Sequence, residues 1–223
     1  MRIEQIIFDC DGVLVDTEIV SAEVMVALLK SLGQKIEIKY FLSEYTGKTF
    51  RAIFEDMTID PRVDIDMLIK NVEERVYQDL RAIEGMGYLA RKVDLPKAVV
   101  SNSNIWQIEK ALTATKLLDV FEHRFSASMV SKPKPSPDIY LHAAETLGKS
   151  PANCLAIEDS VSGCTSALSA GMNVIGFCGG QHITSSHRNE LIKIGVPFIA
   201  NSAIELEGLL EKVTKNELDF SNS

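Results

Sequence analysis

Apolar residues along this chain fall into two alternating rhythms. Ile6, Ile7 and Phe8 follow one another without a polar break, and comparable runs stand at 97–100, 154–157 and 173–177, with a weaker one at 197–200. A short continuous apolar run suits a strand covered on both faces, as in a parallel sheet. Between these runs the period changes to 3.6. Ile105, Ile108, Ala111 and Leu112 share one face of a helix over 103–115. Ser136-Pro137-Asp138 reads as an N-cap, a proline at the first helical position and an acid in the first turn. That helix runs through Ile139, Leu141, Ala144 and Leu147 and stops at Gly148. Another, over 163–170, ends before Gly171 in the position of a C′ glycine. Strands alternating with helices predict right-handed crossovers and a Rossmann-like α/β core with a parallel sheet.

The stretch 17–85 breaks this alternation. It holds no convincing buried strand, and helical patterns at 21–32, 49–57 and 64–83 are punctuated by Gly33, Gly47 and Asp60-Pro61. The expectation is a small helical cap domain over 17–85, inserted into an α/β core made of 1–16 and 86–223. Asp16-Thr17 and Glu84-Gly85 would be its hinge strands.

Composition narrows the class. With 223 residues, 46% hydrophobic and 24% charged, the chain is an ordinary globular one and not a disordered one. Its apolar runs fall short of the roughly 18 residues of a membrane-spanning helix and of the apolar core of a secretory signal. The net charge of −8 argues against a nucleic-acid or anionic-membrane surface. Cys10, Cys154, Cys164 and Cys178 form no C-x-x-C pair and read as buried, reduced thiols. These features together predict a cytoplasmic protein. No long exposed apolar stripe stands out, so a monomer is expected.

Candidate chemistry gathers where the apolar runs end. After the first comes Asp9-Cys10-Asp11-Gly12, two carboxylates two residues apart, which at strand period project to one side. In open α/β sheets ligands bind beyond the carboxyl ends of strands. Two like charges there repel unless a cation offsets them, and Mg²⁺ is the usual partner of carboxylates and phosphate oxygens. The bland alternative is a pair of solvated loop acids or helix caps. After 97–100 comes Ser101-Asn102, a hydroxyl and backbone N–H groups able to hold phosphoryl oxygens, or ordinary turn chemistry. After a run around 125–130 comes Lys132-Pro133-Lys134-Pro135, in which prolines stiffen the backbone around a lysine that could neutralise phosphoryl charge. After 154–157 comes Glu158-Asp159-Ser160, a second acidic pair or a helix cap. Each is ordinary alone; their repetition at successive strand ends is not.

The four segments, Asp9-x-Asp11-Gly12-Val13-x-Val15-Asp16-Thr17, Ser101-Asn102, Lys134-Pro135-x-Pro137-Asp138 and Glu158-Asp159-Ser160, resemble the four motifs of the haloacid dehalogenase-like superfamily, in the same order and over nearly the whole chain. The stretch from Asn153 through Asp159-Ser160-Val161-x-Gly163 to Ala170-Gly171-Met172 is similar to its sugar-phosphate branch. That branch holds β-phosphoglucomutases and phosphatases of compounds such as 6-phosphogluconate. The resemblance implies that Asp9 attacks phosphorus and forms an aspartyl-phosphate. Asp11 would serve as acid and then base. Mg²⁺ would sit on Asp9, the Asp11 carbonyl and Asp159, with Glu158 as a ligand or as a neighbour of the ligands. Ser101 and Lys134 would hold phosphoryl oxygens, Asn102 would add a contact, and Thr17 belongs to the substrate side of the first motif. Lys134 and Mg²⁺ would depress the Asp9 pKa. The partner would be a small phosphorylated metabolite.

The cap is expected to read the leaving group, with Lys48 and Arg51, beside Gly47, as candidate contacts. Two departures weigh against a mutase: the branch's mutase has a histidine four residues after the motif threonine, here Ser21, and a cap arginine at the position of Phe50. Lys134 rather than Lys132 takes the catalytic position, being next to Pro135-Ser136-Pro137-Asp138. His182 and His187 read as loop residues near the last strands.

Overall fold

A computed structural model describes residues 2–57, 62–181, 183 and 185–220. Six parallel strands form one sheet: β1 (Gln5–Asp9), β2 (Lys97–Ser101), β3 (His123–Ser126), β4 (Cys154–Glu158), β5 (Asn173–Phe177) and β6 (Phe198–Ala200), in the order β3-β2-β1-β4-β5-β6. The helices that cover it are α5 (Met86–Lys92), α6 (Ile105–Ala114), α7 (Asp138–Thr146), α8 (Val161–Ser169), α9 (Ser185–Lys193) and α10 (Ala203–Thr214). Between β1 and α5 lie four more: α1 (Thr17–Ser31), α2 (Ile38–Tyr45), α3 (Phe50–Asp56) and α4 (Ile65–Asp79).

Burial explains the apolar runs. Every residue of β1, β4 and β5 is buried. Successive side chains go to opposite faces. Ile6, Phe8, Val99, Leu155 and Ile157 join the larger apolar cluster, with α5, α6 and α10. Ile7, Ala98, Val100 and Ala156 join the smaller one under α7 and α8. The sheet is therefore doubly wound. From β1 the chain builds outward to β2 and β3 on one side and to β4, β5 and β6 on the other. The strand order reverses between β1 and β4, and ligands bind beyond the carboxyl ends of strands at such a reversal.

The α/β class and the parallel sheet agree with the sequence reading, and several details differ. The run at 125–130 is a strand only to Ser126, where a 3-10 turn over Ala127–Met129 leaves the sheet. In α7 the buried face is Ile139, Tyr140, Ala143 and Ala144, and Leu141 is exposed. Pro137, not Ser136, precedes its first residue, and the Ser136 hydroxyl donates to Asp138. The helix expected over 64–83 ends at Asp79 because the next residues pair with the chain leaving β1. Asp16 N donates to the Arg81 carbonyl, Ile83 N donates to the Leu14 carbonyl, and Val15 bridges Ala82 antiparallel. The paired segments are thus 14–16 and 81–83; Thr17 already begins α1. Helices α2, α5, α9 and α10 were not foreseen. Asp60-Pro61 and His182 lie outside the described residues. Cys10, Cys154 and Cys164 are buried free thiols, whereas Cys178 is half-buried. No helix among the described residues is long and apolar enough to cross a membrane.

Candidate active site

Asp9 ends β1 and Glu158 ends the neighbouring β4, so the reversal point brings two carboxylates together. Asp159 follows at once. All three are buried, and each offers an oxygen within 4.8 Å of the others. Lys134, delivered by the loop before α7, inserts between Asp9 and Glu158. Its Nζ lies 2.6 Å from Asp9 Oδ1, 2.6 Å from Glu158 Oε1 and 3.2 Å from the Val100 carbonyl oxygen. Lys132 stays exposed.

The surroundings hold Lys134 in place. Asn102 clamps its backbone: Lys134 N donates to Asn102 Oδ1 at 3.0 Å, and Asn102 Nδ2 donates to the Lys134 carbonyl at 3.3 Å. Asn102, expected on the substrate, therefore acts on the lysine loop. Glu158 receives two further groups of donors. Tyr140 Oη donates to Oε1 at 2.9 Å, and Ser160 N and Oγ donate to Oε2 at 3.3 and 3.2 Å. Behind that carboxylate stands Gly163, where a Cβ would lie 1.9 Å from Glu158 Oε1. Glu158 is thus fixed from every side as the anchor of Lys134. The Tyr140 ring lies 5.1 Å from the ammonium.

Asp11 faces elsewhere. Thr17 Oγ1 donates to its Oδ1 at 2.6 Å, and Ser101 Oγ and Ser103 Oγ each donate to Oδ2 at 3.0 Å. The two acids expected on one side therefore diverge, one into an ionic cluster and one into a ring of hydroxyls. The turn at Gly12 makes this possible. Its φ is +83°, and a Cβ there would lie 2.0 Å from Asp159 Oδ2, so only glycine permits both the turn and the approach of Asp159. Thr17 and Ser101, expected to touch substrate or phosphoryl oxygens, here orient Asp11. Ser103 was missed, although its spacing two residues after Ser101 was a usable signal. Tyr140 carried no signal, because its partner is brought by the fold.

Electrostatics follow from this crowding. Burial pushes the Asp9 carboxyl well above its ordinary range; Lys134 pulls it down, while Glu158, Asp159 and Asp11 push it up further. The expected depression of this pKa is not met by Lys134 alone. Burial by itself would lower the Lys134 pKa, but Asp9 and Glu158 outweigh it and hold the ammonium well above its usual value. Burial, then the Glu158 charge, raises Tyr140, which stays a donor. Three buried carboxylates (Asp9, Glu158, Asp159) thus cluster at a site that holds one ammonium, Lys134, paired to two of them. Oxygen donors in excess over cationic charge are what a hard divalent ion such as Mg²⁺ prefers, so the residues fit that ion. Glu158, already engaged by Lys134, Tyr140 and Ser160, is the member least able to turn to it.

A cavity of about 120 Å³ opens beside Asp11, between α1, α3, α4 and α6. Lys48 and Arg51 do not line it. Arg51 pairs with Asp66 on the exposed surface, and the Lys48 ammonium lies 4.8 Å from the Tyr45 ring centre. Phe50 lines the cavity in their place, with Ser21 and, from α4, Glu73 and Tyr77. His187 belongs to α9, not to a loop, and its Nε2 meets the Asp159 carbonyl oxygen.

Residues 6–177 match the family described as Haloacid dehalogenase-like hydrolase. The chain is similar to the 6-phosphogluconate phosphatase of Escherichia coli, 30% identical over 191 residues that cover 81% of this chain and 85% of that protein. It is also similar to hexitol phosphatase B of the same species, 28% identical over 184 residues, 76% of this chain and 81% of that one. Among solved structures, a HAD family hydrolase from Deinococcus radiodurans with bound phosphate and sodium superposes with a TM-score of 0.83 at 28% identity, over 95% of this chain and 96% of that one.

Proposed function

The chain belongs to the haloacid dehalogenase-like hydrolase family, and from that premise we propose that it is a Mg²⁺-dependent phosphatase of small phosphate monoesters, acting through an aspartyl-phosphate. One observation carries the reading: a buried Asp9–Lys134–Glu158 ion triad beside Asp159, at the point where the strand order reverses.

In this reading Asp9 Oδ attacks phosphorus, and the bond from phosphorus to the leaving oxygen breaks. Asp11 donates a proton to that oxygen as the alcohol departs. The same carboxylate then takes a proton from water, which attacks the phosphoryl group and frees Asp9. Its ring of hydroxyls from Thr17, Ser101 and Ser103 suits a group that must alternate between charge states, since a hydroxyl can donate to the carboxylate and accept from the acid. Lys134 neutralises phosphoryl oxygens and orients Asp9, and Glu158 fixes Lys134. Asp9, Asp159 and the Asp11 carbonyl would hold Mg²⁺, which when bound supplies positive charge against the phosphoryl oxygens. Phosphoryl transfer asks chiefly for positioning and charge neutralisation.

Residues 17–85 are the proposed cap, closing over the leaving group and excluding water. A monomer in the cytoplasm completes the reading. A mutase is not favoured, since Ser21 and not a histidine lines the cavity beside Asp11. The test is a phosphate-release screen over sugar phosphates, phosphosugar acids and nucleotides. Release that EDTA and Asp9→Asn both abolish supports the reading, and release that survives Asp9→Asn removes the nucleophile.

A further inference from the structure

The cavity beside Asp11 carries charge of one sign. Among the described residues, Asp11 and Glu73 are the charged groups on its wall, and no lysine, arginine or histidine lines it. The cations that the sequence offered for this place are engaged elsewhere, Arg51 with Asp66 and Lys48 over Tyr45. Lys110 lies 4.7 Å from the Tyr77 ring centre and 5.6 Å from that of Trp106, and it does not line the cavity.

Thr17 and Ser103 on the same wall donate to Asp11. Beyond them Ser21 offers a hydroxyl and Tyr77 a phenol, and Gln107, whose Oε1 accepts from Asn104 N at 2.9 Å, offers its amide N–H groups. The Tyr77 phenol is pushed up to about 12, first by burial and then by the charge of Asp11, with a hydrogen bond donated by Gln107 opposing the shift and Glu73 adding to it. The phenol therefore keeps its proton and faces the same space as both acids. Phe50 and Val76 supply apolar surface.

We propose that this cavity takes an uncharged polyhydroxy leaving group, that of a sugar or sugar-alcohol phosphate, and that Glu73 selects against a substrate bearing a second anion. The proposal rests on the phosphatase reading and narrows its substrate class. A hydroxyl can donate to Glu73 and accept from Tyr77 or Gln107. A carboxylate in the same place has no proton to give, meets a like charge across a small space and finds no cation among the described residues. Rejection by an unpaired like charge is a common route to specificity.

The experiment compares kcat/KM for phosphate release, with Mg²⁺ present, from glucitol 6-phosphate and 6-phosphogluconate. The two share a six-carbon chain and differ at its far end, a hydroxymethyl group against a carboxylate. p-Nitrophenyl phosphate is the third substrate. The wild-type protein is expected to favour glucitol 6-phosphate by about tenfold or more, and Glu73→Gln to shift that ratio toward the acid by about fivefold or more. Both activities are read on one sample, so a partly folded variant does not move the ratio, and the wild-type ratio stands even where the variant is insoluble. A wild-type preference for 6-phosphogluconate, or a ratio that Glu73→Gln leaves in place, overturns the proposal while leaving the phosphatase reading intact. No release from any of the three substrates sinks the phosphatase reading and this proposal with it.

Discussion

Gly163→Ala is a one-carbon change whose consequences follow from the placement of Glu158. Gly163 is the third residue of α8, and its N–H donates to the capping Ser160 Oγ at 2.9 Å. Helix propensity alone predicts that alanine stabilises, by at most about 1 kcal/mol. The new Cβ would lie 1.9–2.1 Å from three atoms of the Glu158 carboxyl group. A flexible, solvated glutamate would swing away at little cost. This one is fully buried and bound by Lys134, Tyr140 and Ser160. Overpacking a tight interior costs about 1–3 kcal/mol, and a hydrogen bond to a charged group adds about 1.5–3 kcal/mol if lost. The clash therefore outweighs propensity, with a net loss of about 2–4 kcal/mol. For a chain of this size that lowers Tm by about 5–15 °C. Displacing Glu158 also releases Lys134 from its position against Asp9, so kcat should fall about 10-fold to 100-fold, with KM changing less. Thermal melts and phosphate-release kinetics read both effects. A double-mutant cycle isolates the cause: in a Glu158→Ala background the added methyl should be neutral or stabilising. A Gly163→Ala protein with raised Tm and unchanged kcat would refute the claim that Glu158 is held rigidly.

Other outcomes follow from the same geometry. Lys134→Ala leaves Asp9 and Glu158 buried without their cation and should cost about 3–5 kcal/mol of stability, measured by denaturant unfolding. Mg²⁺ should raise Tm in proportion to the logarithm of its concentration, and Asp159→Asn should weaken that response, which a thermal-shift titration reads without any turnover. Ser103→Ala removes one of three hydroxyls on Asp11 and should lower kcat about threefold to tenfold with little change in Tm; equal losses in Tm and kcat would make Ser103 merely structural.

The apolar runs foretold the strands well because all of β1, β4 and β5 is buried, so their pattern owes nothing to a solvent face. Element ends were less legible. The helix expected to reach residue 83 stops at Asp79 because 81–83 finds a partner in 14–16, far away in sequence. The acids, Lys134 and Ser101 stood out because each comes after an apolar run in turn. Which partner each takes did not, because the divergence of Asp9 and Asp11 depends on Gly12 and on hydroxyls from another loop. Tyr140, Glu73 and Gln107 were invisible for the same reason, since each is chosen by packing between elements. Arg51 had the right charge near a suggestive turn, yet an acid on α4 claims it.

In the proposed mechanism Asp9 carries the transferred phosphoryl group while Lys134 and a cation beside Asp159 neutralise it. A crystal of the protein grown with Mg²⁺ and beryllofluoride, which mimics a phosphoryl group on a carboxylate, tests this directly. The expected result is beryllium bonded to an Asp9 carboxylate oxygen, Lys134 Nζ on a fluorine and the ion held by Asp9 and Asp159. Beryllofluoride on another side chain, with Asp9 still paired to Lys134 alone, would contradict it.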